Sequence, residues 1–229
     1  MIARFIHRSF GDHIVSATID MTSLHPSVLA FLKQREQEFD NIDAERKTLL
    51  DQLTDYVQER FANHEVTQLT FLCTHNSRRS HLSQIWAKVA ADYYRIQPLQ
   101  TYSGGTEATA LNPRVVDSLK RTGFEIKVNG GSPDNPLYLV SYSKAARPLE
   151  CFSKTFDAST NPADHYAAVM TCSSADRACP VVPGSDARLP IRYDDPKVSD
   201  GTSEEAATYD ARSRQICREM LFAMSRVVS

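Results

Sequence analysis

The stretch VTQLTFLCTHNSRRSHLSQIWAKVA, residues 66–90, decides how this chain is read. Residues 66–73 are rich in apolar and β-branched side chains and end on Cys73, the pattern of a buried strand. Leu82, Ile85, Trp86, Val89 and Ala90 then recur at helical spacing, with Tyr93 continuing the stripe. Between the two runs there is room only for a tight turn. Strand, turn and helix in that order are the repeating unit of α/β folds.

Working outward, the same alternation recurs. A short strand near 100–102 runs into Gly104-Gly105, and Asn112-Pro113 opens a helix with a cap and a first-turn proline. Val115, Val116 and Leu119 are its apolar face, and Gly123 suits its stop. Residues 166–171 and 189–193 read as further strands, and Thr202-x-x-Glu205 as a capping box for a C-terminal helix carrying Tyr209, Ile216, Met220 and Met224. Upstream, Pro26 with Val28, Leu29, Phe31 and Leu32, then a run from about Asp43 through Leu50, Leu53, Tyr56 and Val57, predict a helical hairpin over 26–61. Residues 129–165 read as an insertion: Asn129-Gly130-Gly131 and Pro133 mark a loop, and 137–142 and 151–156 pair as a β-hairpin around 144–148. The expectation is an N-terminal helical extension, 1–64, on an α/β domain, 65–229, built on a parallel sheet.

Composition narrows the function class. The chain has 229 residues, and its formal charge of -2 gives no general attraction to nucleic acid. No apolar run is long enough to cross a membrane, and the short apolar pieces of 1–16 are broken by His7, Asp12 and His13, unlike a secretion signal. Met21 is an alternative start. Five cysteines, an odd number, disfavour a disulfide framework and point to a cytoplasmic location, where thiols are catalytic, metal-binding or inert.

The turn after the first strand carries the chemistry. In Cys73-Thr74-His75-Asn76-Ser77-Arg78-Arg79-Ser80, backbone N–H groups curled between strand and helix form an anion nest. The helix N-terminus adds positive potential. Arg79 is placed to fork two hydrogen bonds onto a tetrahedral oxyanion, arsenate or phosphate. Cys73 beneath it feels the same field, which favours the nucleophilic thiolate. Ser80 is a hydrogen-bond donor to that thiolate, and Asn76 suits a strained turn. The bland alternative is a buried cysteine before a basic helix start.

On these residues the segment 70–90 resembles the phosphate loop of low-molecular-weight protein tyrosine phosphatases and of the arsenate reductases that share their fold. Tyr102-Ser103-Gly104-Gly105-Thr106-Glu107, Leu111-Asn112-Pro113-Arg114 and Asp194-Asp195-Pro196 are similar to further blocks of that family. The resemblance implies a four-stranded parallel sheet flanked by helices, and Asp195 as an acid, with Asp194 and Asp200 as nearby substitutes. It departs at His75, where glycine is usual, and at Arg78, where a second loop cysteine is usual.

A second segment separates reductase from phosphatase. Cys172 and Cys179 resemble the redox pair of thioredoxin-coupled arsenate reductases, which phosphatases of the fold lack. Lys197 and Val198 after Asp195-Pro196 are not the aromatic residues that hold a phosphotyrosine ring. The resemblance implies that Cys73 takes the oxyanion, Cys172 displaces arsenite, and Cys179 resolves the disulfide, with reducing equivalents from thioredoxin or a low-molecular-weight thiol. No tightly bound cofactor is expected. A Cys-x6-Cys pair lacks zinc-site spacing, so no metal is assigned. Core thiols are the alternative for this pair and the assignment for Cys151 and Cys217. Some reductases of this type hold potassium near the loop through a helix glutamate. The matching position is Gln84, which puts a potassium site in doubt. The alternatives are a phosphatase using Cys73, Arg79 and Asp195, and a non-catalytic oxyanion sensor.

Overall fold

The computed structural model describes residues 23–178 and 181–228; Met21 and Cys179 lie outside them. The central sheet has four parallel strands, β1 (Thr67–Cys73), β2 (Leu99–Gly105), β6 (Tyr166–Met170) and β7 (Ser185–Leu189), in the order β2-β1-β6-β7. The polypeptide alternates strands with α3 (Arg79–Tyr93), α4 (Pro113–Thr122), α5 (Ser173–Ala178) and α6 (Glu205–Ser225). β1 is central and all but one of its residues are buried, which explains its near-continuous apolar reading. It pairs with β2 so that Cys73 lies opposite Gly105, both at the carboxyl edge.

Two helices precede the sheet, α1 (Pro26–Glu36) and α2 (Ala44–Ala62). Asp43 caps α2 by accepting the Arg46 N–H at 2.7 Å. Both helices pack on α6, and their Val28, Leu32, Leu50 and Leu53 belong to the same buried cluster as Leu69 and Phe71 of β1. Phe31 of α1 stacks on Trp86 of α3 at 5.3 Å, and Phe124 meets the same indole edge-on at 5.1 Å. The indole N–H donates to Ser213 Oγ at 2.9 Å, so the largest core side chain has its one polar atom satisfied.

Four local expectations change. Residues 129–131 are not a loop. They lie in β3 (Glu125–Ser132), which pairs with β4 (Asn135–Ser141) and extends the expected hairpin to a three-stranded sheet with β5 (Leu149–Cys151). The register shifts between Val128 and Gly131, and Gly130 and Gly131 have φ of 104° and 80°. The glycines mark a bulge, which positive φ permits, rather than the end of the strand. The second expected strand, 151–156, stops pairing at Cys151, because 153–155 turn to the central sheet and the loop after β1. The last strand is Ser185–Leu189, not 189–193: it is an edge strand whose Asp186 and Arg188 break the apolar signal, and Pro190 cannot donate to a ladder. At α6 the expected capping box does not close: the helix starts at Glu205, Thr202 Oγ1 accepts the Glu204 N–H, and the Glu205 carboxylate accepts the Gly201 N–H.

Candidate active site

The loop between β1 and α3 is held from three sides. Its Thr74 carbonyl accepts the Glu107 N–H at 2.9 Å and the Thr106 hydroxyl at 3.1 Å. Its His75 carbonyl accepts the hydroxyls of Ser153 and Thr109, each at 3.0 Å. Asn76 stands at φ 43°, a left-handed conformation that asparagine tolerates better than most residues. Gly105 passes beneath: a Cβ there would lie 2.6 Å from the Thr74 carbonyl and 2.7 Å from the Asn76 nitrogen, so no side chain fits.

Cys73 is buried at the base of this loop, with its sulfur 3.1 Å from Ser80 Oγ. Asn76 Nδ2 donates to the same hydroxyl oxygen at 2.9 Å. With its oxygen already accepting from Asn76, the Ser80 hydroxyl is left to donate to the sulfur. Asn76 Oδ1 accepts the backbone N–H of Lys154 at 2.9 Å, so both ends of the Asn76 amide are used.

The two arginines diverge. Arg79 donates through one outer nitrogen to Asp195 Oδ2 at 2.7 Å and through the other to the Tyr193 carbonyl at 3.1 Å. Its buried Nε–H has no partner, a free donor at the helix start where the loop donors collect. Arg78 is turned aside: its Nε donates to Tyr209 Oη at 2.8 Å, with Asp200 3.4 Å from its outer nitrogen. Its guanidinium is thus engaged in bracing the loop against α6, which leaves its backbone as its contribution to an anion nest. His75 is likewise half-exposed and faces Glu107 rather than the loop interior. Ser77 and Ser80 are buried in it. Among the three candidate carboxylates only Asp195 touches Arg79; Asp194 is exposed beside Arg212, and Asp200 accepts from Tyr209.

Cys172 follows β6 and is buried in the same cluster as Cys73. Its sulfur lies 3.6 Å from Thr74 Oγ1 and accepts the Ala175 N–H at 3.3 Å, at the start of α5. The second thiol therefore sits against the loop of the first. Asp176 on α5 pairs with Arg188 and Arg192, fastening the helix to the end of the sheet. Cys151 and Cys217 are buried elsewhere, and burial pushes the Cys151 thiol up to about 12. Ser153 and Lys154 are the site residues that sequence reasoning missed, since nothing local marks a polar pair after a short strand as loop support.

Curated relatives of this sequence are arsenate reductases. An arsenate reductase of Halalkalibacterium halodurans is 31% identical over 136 residues, 59% of this chain and 78% of the relative. An arsenate reductase of Bacillus subtilis is 31% identical over 144 residues, 63% of this chain and 84% of the relative. The chain belongs to the arsenate reductase family. No family model matches this member of the arsenate reductase family. Solved structures similar to it include a low-molecular-weight phosphotyrosine phosphatase of Vibrio cholerae (TM-score 0.46, 13% identity, 69% of this chain and 94% of the other). Another is an arsenate reductase in the phosphate binding state (TM-score 0.44, 17% identity, 71% and 99%). Among the described residues no cluster of three or more His, Cys, Asp or Glu side chains is arranged to hold a metal, and no helix is long and apolar enough to cross a membrane.

Proposed function

We infer that this chain reduces arsenate to arsenite, with Cys73 as nucleophile and Cys172 as the second thiol. The observation that carries the reading is the Cys172 sulfur 3.6 Å from Thr74 Oγ1, inside the loop that holds Cys73. A phosphatase needs one thiol there; reduction needs a second within reach.

In the first step the Cys73 thiolate attacks arsenic of arsenate, an As–S bond forms, and one oxygen leaves as water after protonation. Asp195 lies beside Arg79 and is the group available to supply that proton. Cys172, as thiolate, then attacks the Cys73 sulfur. The As–S electron pair goes to arsenic, which leaves as arsenite, and a Cys73–Cys172 disulfide forms. Cys179 attacks Cys172, frees Cys73 and leaves a Cys172–Cys179 disulfide. An external dithiol, thioredoxin by resemblance, or a low-molecular-weight thiol reduces it. A reducing cytoplasm suits this cycle.

The last exchange requires α5 to unwind. The six residues between the two cysteines form that helix, and disulfide-linked Cα atoms lie within about 7 Å. A helix of six residues has little stability of its own, so opening it costs mainly the Asp176 pairs with Arg188 and Arg192.

The test is arsenate-dependent NADPH oxidation coupled through thioredoxin and its reductase, for wild type, Cys172→Ser and Cys179→Ser. Turnover in wild type with loss in both variants is the expected result. Equal aryl phosphate hydrolysis by all three proteins, with no response to arsenate, overturns the reading in favour of a phosphatase.

A further inference from the structure

Asp195 stands at one end of a tight turn, 196–199, and Asp200 at the other. Asp195 Oδ1 accepts the Lys197 N–H at 3.1 Å, and the Asp200 N–H donates to the Lys197 carbonyl at 3.0 Å. Two adjacent arginines grip the two ends. Arg79 donates to Asp195 Oδ2 at 2.7 Å, and Arg78 donates from an outer nitrogen to Asp200 Oδ2 at 3.4 Å. Tyr209 of α6 closes the second grip: its hydroxyl accepts the Arg78 Nε–H and donates to Asp200 Oδ1, each at 2.8 Å. Arginine only donates and a carboxylate only accepts, so the phenol between them must do both. Burial pushes the Tyr209 phenol up to about 12, so its proton is present at neutral pH.

The ring Arg78–Tyr209–Asp200 joins the oxyanion loop, α6 and the turn that carries the acid. Arg78 Nε is 4.0 Å from Asp195 Oδ1, too far for a hydrogen bond, so its hold on the acid runs through Asp200. Arg114 Nε lies 3.7 Å from Asp200 Oδ1 but pairs with Glu205 at 2.6 Å. The Asp195 side chain is 31% exposed, so water competes for its contact with Arg79. An oxyanion on Arg79 draws on the same guanidinium. The ring is the hold on the turn that does not depend on Arg79.

We propose that Tyr209 and Asp200 are positioning residues for the acid: with Arg78 they keep the 195–200 turn, and with it Asp195, at the oxyanion loop while Arg79 is occupied by the anion. Neither residue touches substrate in this role. The proposal rests on the reading of Asp195 as the proton source for arsenate reduction.

The experiment is a double-mutant cycle on kcat/KM for arsenate with wild type, Tyr209→Phe, Asp195→Asn and the double variant. Anion affinity is read separately, from the protection that inorganic phosphate gives Cys73 against iodoacetamide. Tyr209→Phe is expected to lower kcat/KM about tenfold, because the acid is misplaced, and to keep phosphate protection within about twofold. The double variant is expected to match Asp195→Asn within about twofold, since a group that acts only through Asp195 then has nothing left to act on. Losses that multiply overturn the proposal. So does a Tyr209→Phe protein with wild-type kcat/KM, or one whose phosphate protection falls in step with turnover, which would make the ring a support of the anion loop. If Tyr209→Phe does not fold, Asp200→Ala is put through the same cycle and the same outcomes decide. A wild type that hydrolyses an aryl phosphate but ignores arsenate counts against the reductase reading alone. The cycle is then read on the ester, whose leaving group takes its proton from the same acid. A wild type with neither activity overturns both.

Discussion

Asp195 Oδ2 stands 2.7 Å from an outer nitrogen of Arg79, and this contact ties the loop after β7 to the start of α3. It leaves the buried Nε–H of Arg79 without a protein partner. Asp195 and Arg79 are therefore one unit, and removing either disturbs the other.

Asp195→Ala is expected to lower kcat/KM for arsenate by about 100-fold, because both a proton source and the Arg79 tether are lost. Asp194→Ala, whose carboxylate is exposed, is expected to stay within about twofold. Steady-state kinetics on the two variants separates them, and equal losses would remove Asp195 from its assigned place.

Ser80→Ala deletes the hydroxyl 3.1 Å from the Cys73 sulfur and strands the Asn76 amide. Alkylation of Cys73 by iodoacetamide at pH 7 is expected to slow several-fold, since hydrogen bonding to the charged form favours it. An unchanged rate, followed by mass spectrometry of the labelled peptide, would show that the loop backbone alone sustains the thiolate.

Cys151, with its thiol pushed up to about 12 by burial, is expected to resist thiol reagents in the native protein. Cys151→Ala is expected to retain arsenate turnover. Loss of turnover with an unchanged melting temperature would place this thiol in the relay.

His81 is fully buried, and burial together with the nearby Lys154 charge lowers it from 6.5 to about 3. Its folded value lies below its unfolded one, so the unfolded chain binds the extra proton between those two pH values. The stability this neutral imidazole contributes is complete above about pH 6.5 and is lost as pH falls towards 3. Urea unfolding between pH 7 and 4 is expected to show that fall in wild type. A shallower slope is expected in His81→Asn, a neutral residue able to face Ser103 Oγ.

Arg46 on α2 donates two hydrogen bonds to Glu219 on α6, at 2.9 and 2.7 Å, and the glutamate side chain is 2% exposed. Arg46→Ala is expected to destabilise the fold by about 3–5 kcal/mol, because it leaves a buried charge unpaired. Replacing both residues by leucine is expected to recover most of that loss. Denaturant midpoints test both expectations, and an undisturbed Arg46→Ala protein would mean that the N-terminal helices add little to the core.

Much of this architecture was legible in short runs of sequence. The 66–90 segment specified strand, turn and helix because a strand buried on both faces and an amphipathic helix carry different periods. Asp43, Asn112 and Gly123 announced helix ends through hydrogen bonds that close within three residues. The edge strand β7 did not show, since its outward Asp186 and Arg188 serve ion pairs rather than the core.

The residue types of the loop, Cys73, Asn76, Arg79 and Ser80, were set by the sequence itself, because an anion nest at a strand end calls for them at fixed spacing, whereas Cys172 and Asp195 were marked only by family resemblance. Only the tertiary structure decided among equals. It turned Arg78 to Tyr209 and Arg79 to Asp195, chose Asp195 over its neighbours, brought Cys172 to Thr74, and set Lys154 behind Asn76. Those relations join residues about 80 to 130 positions apart, and no local periodicity or spacing encodes which distant side chain will arrive.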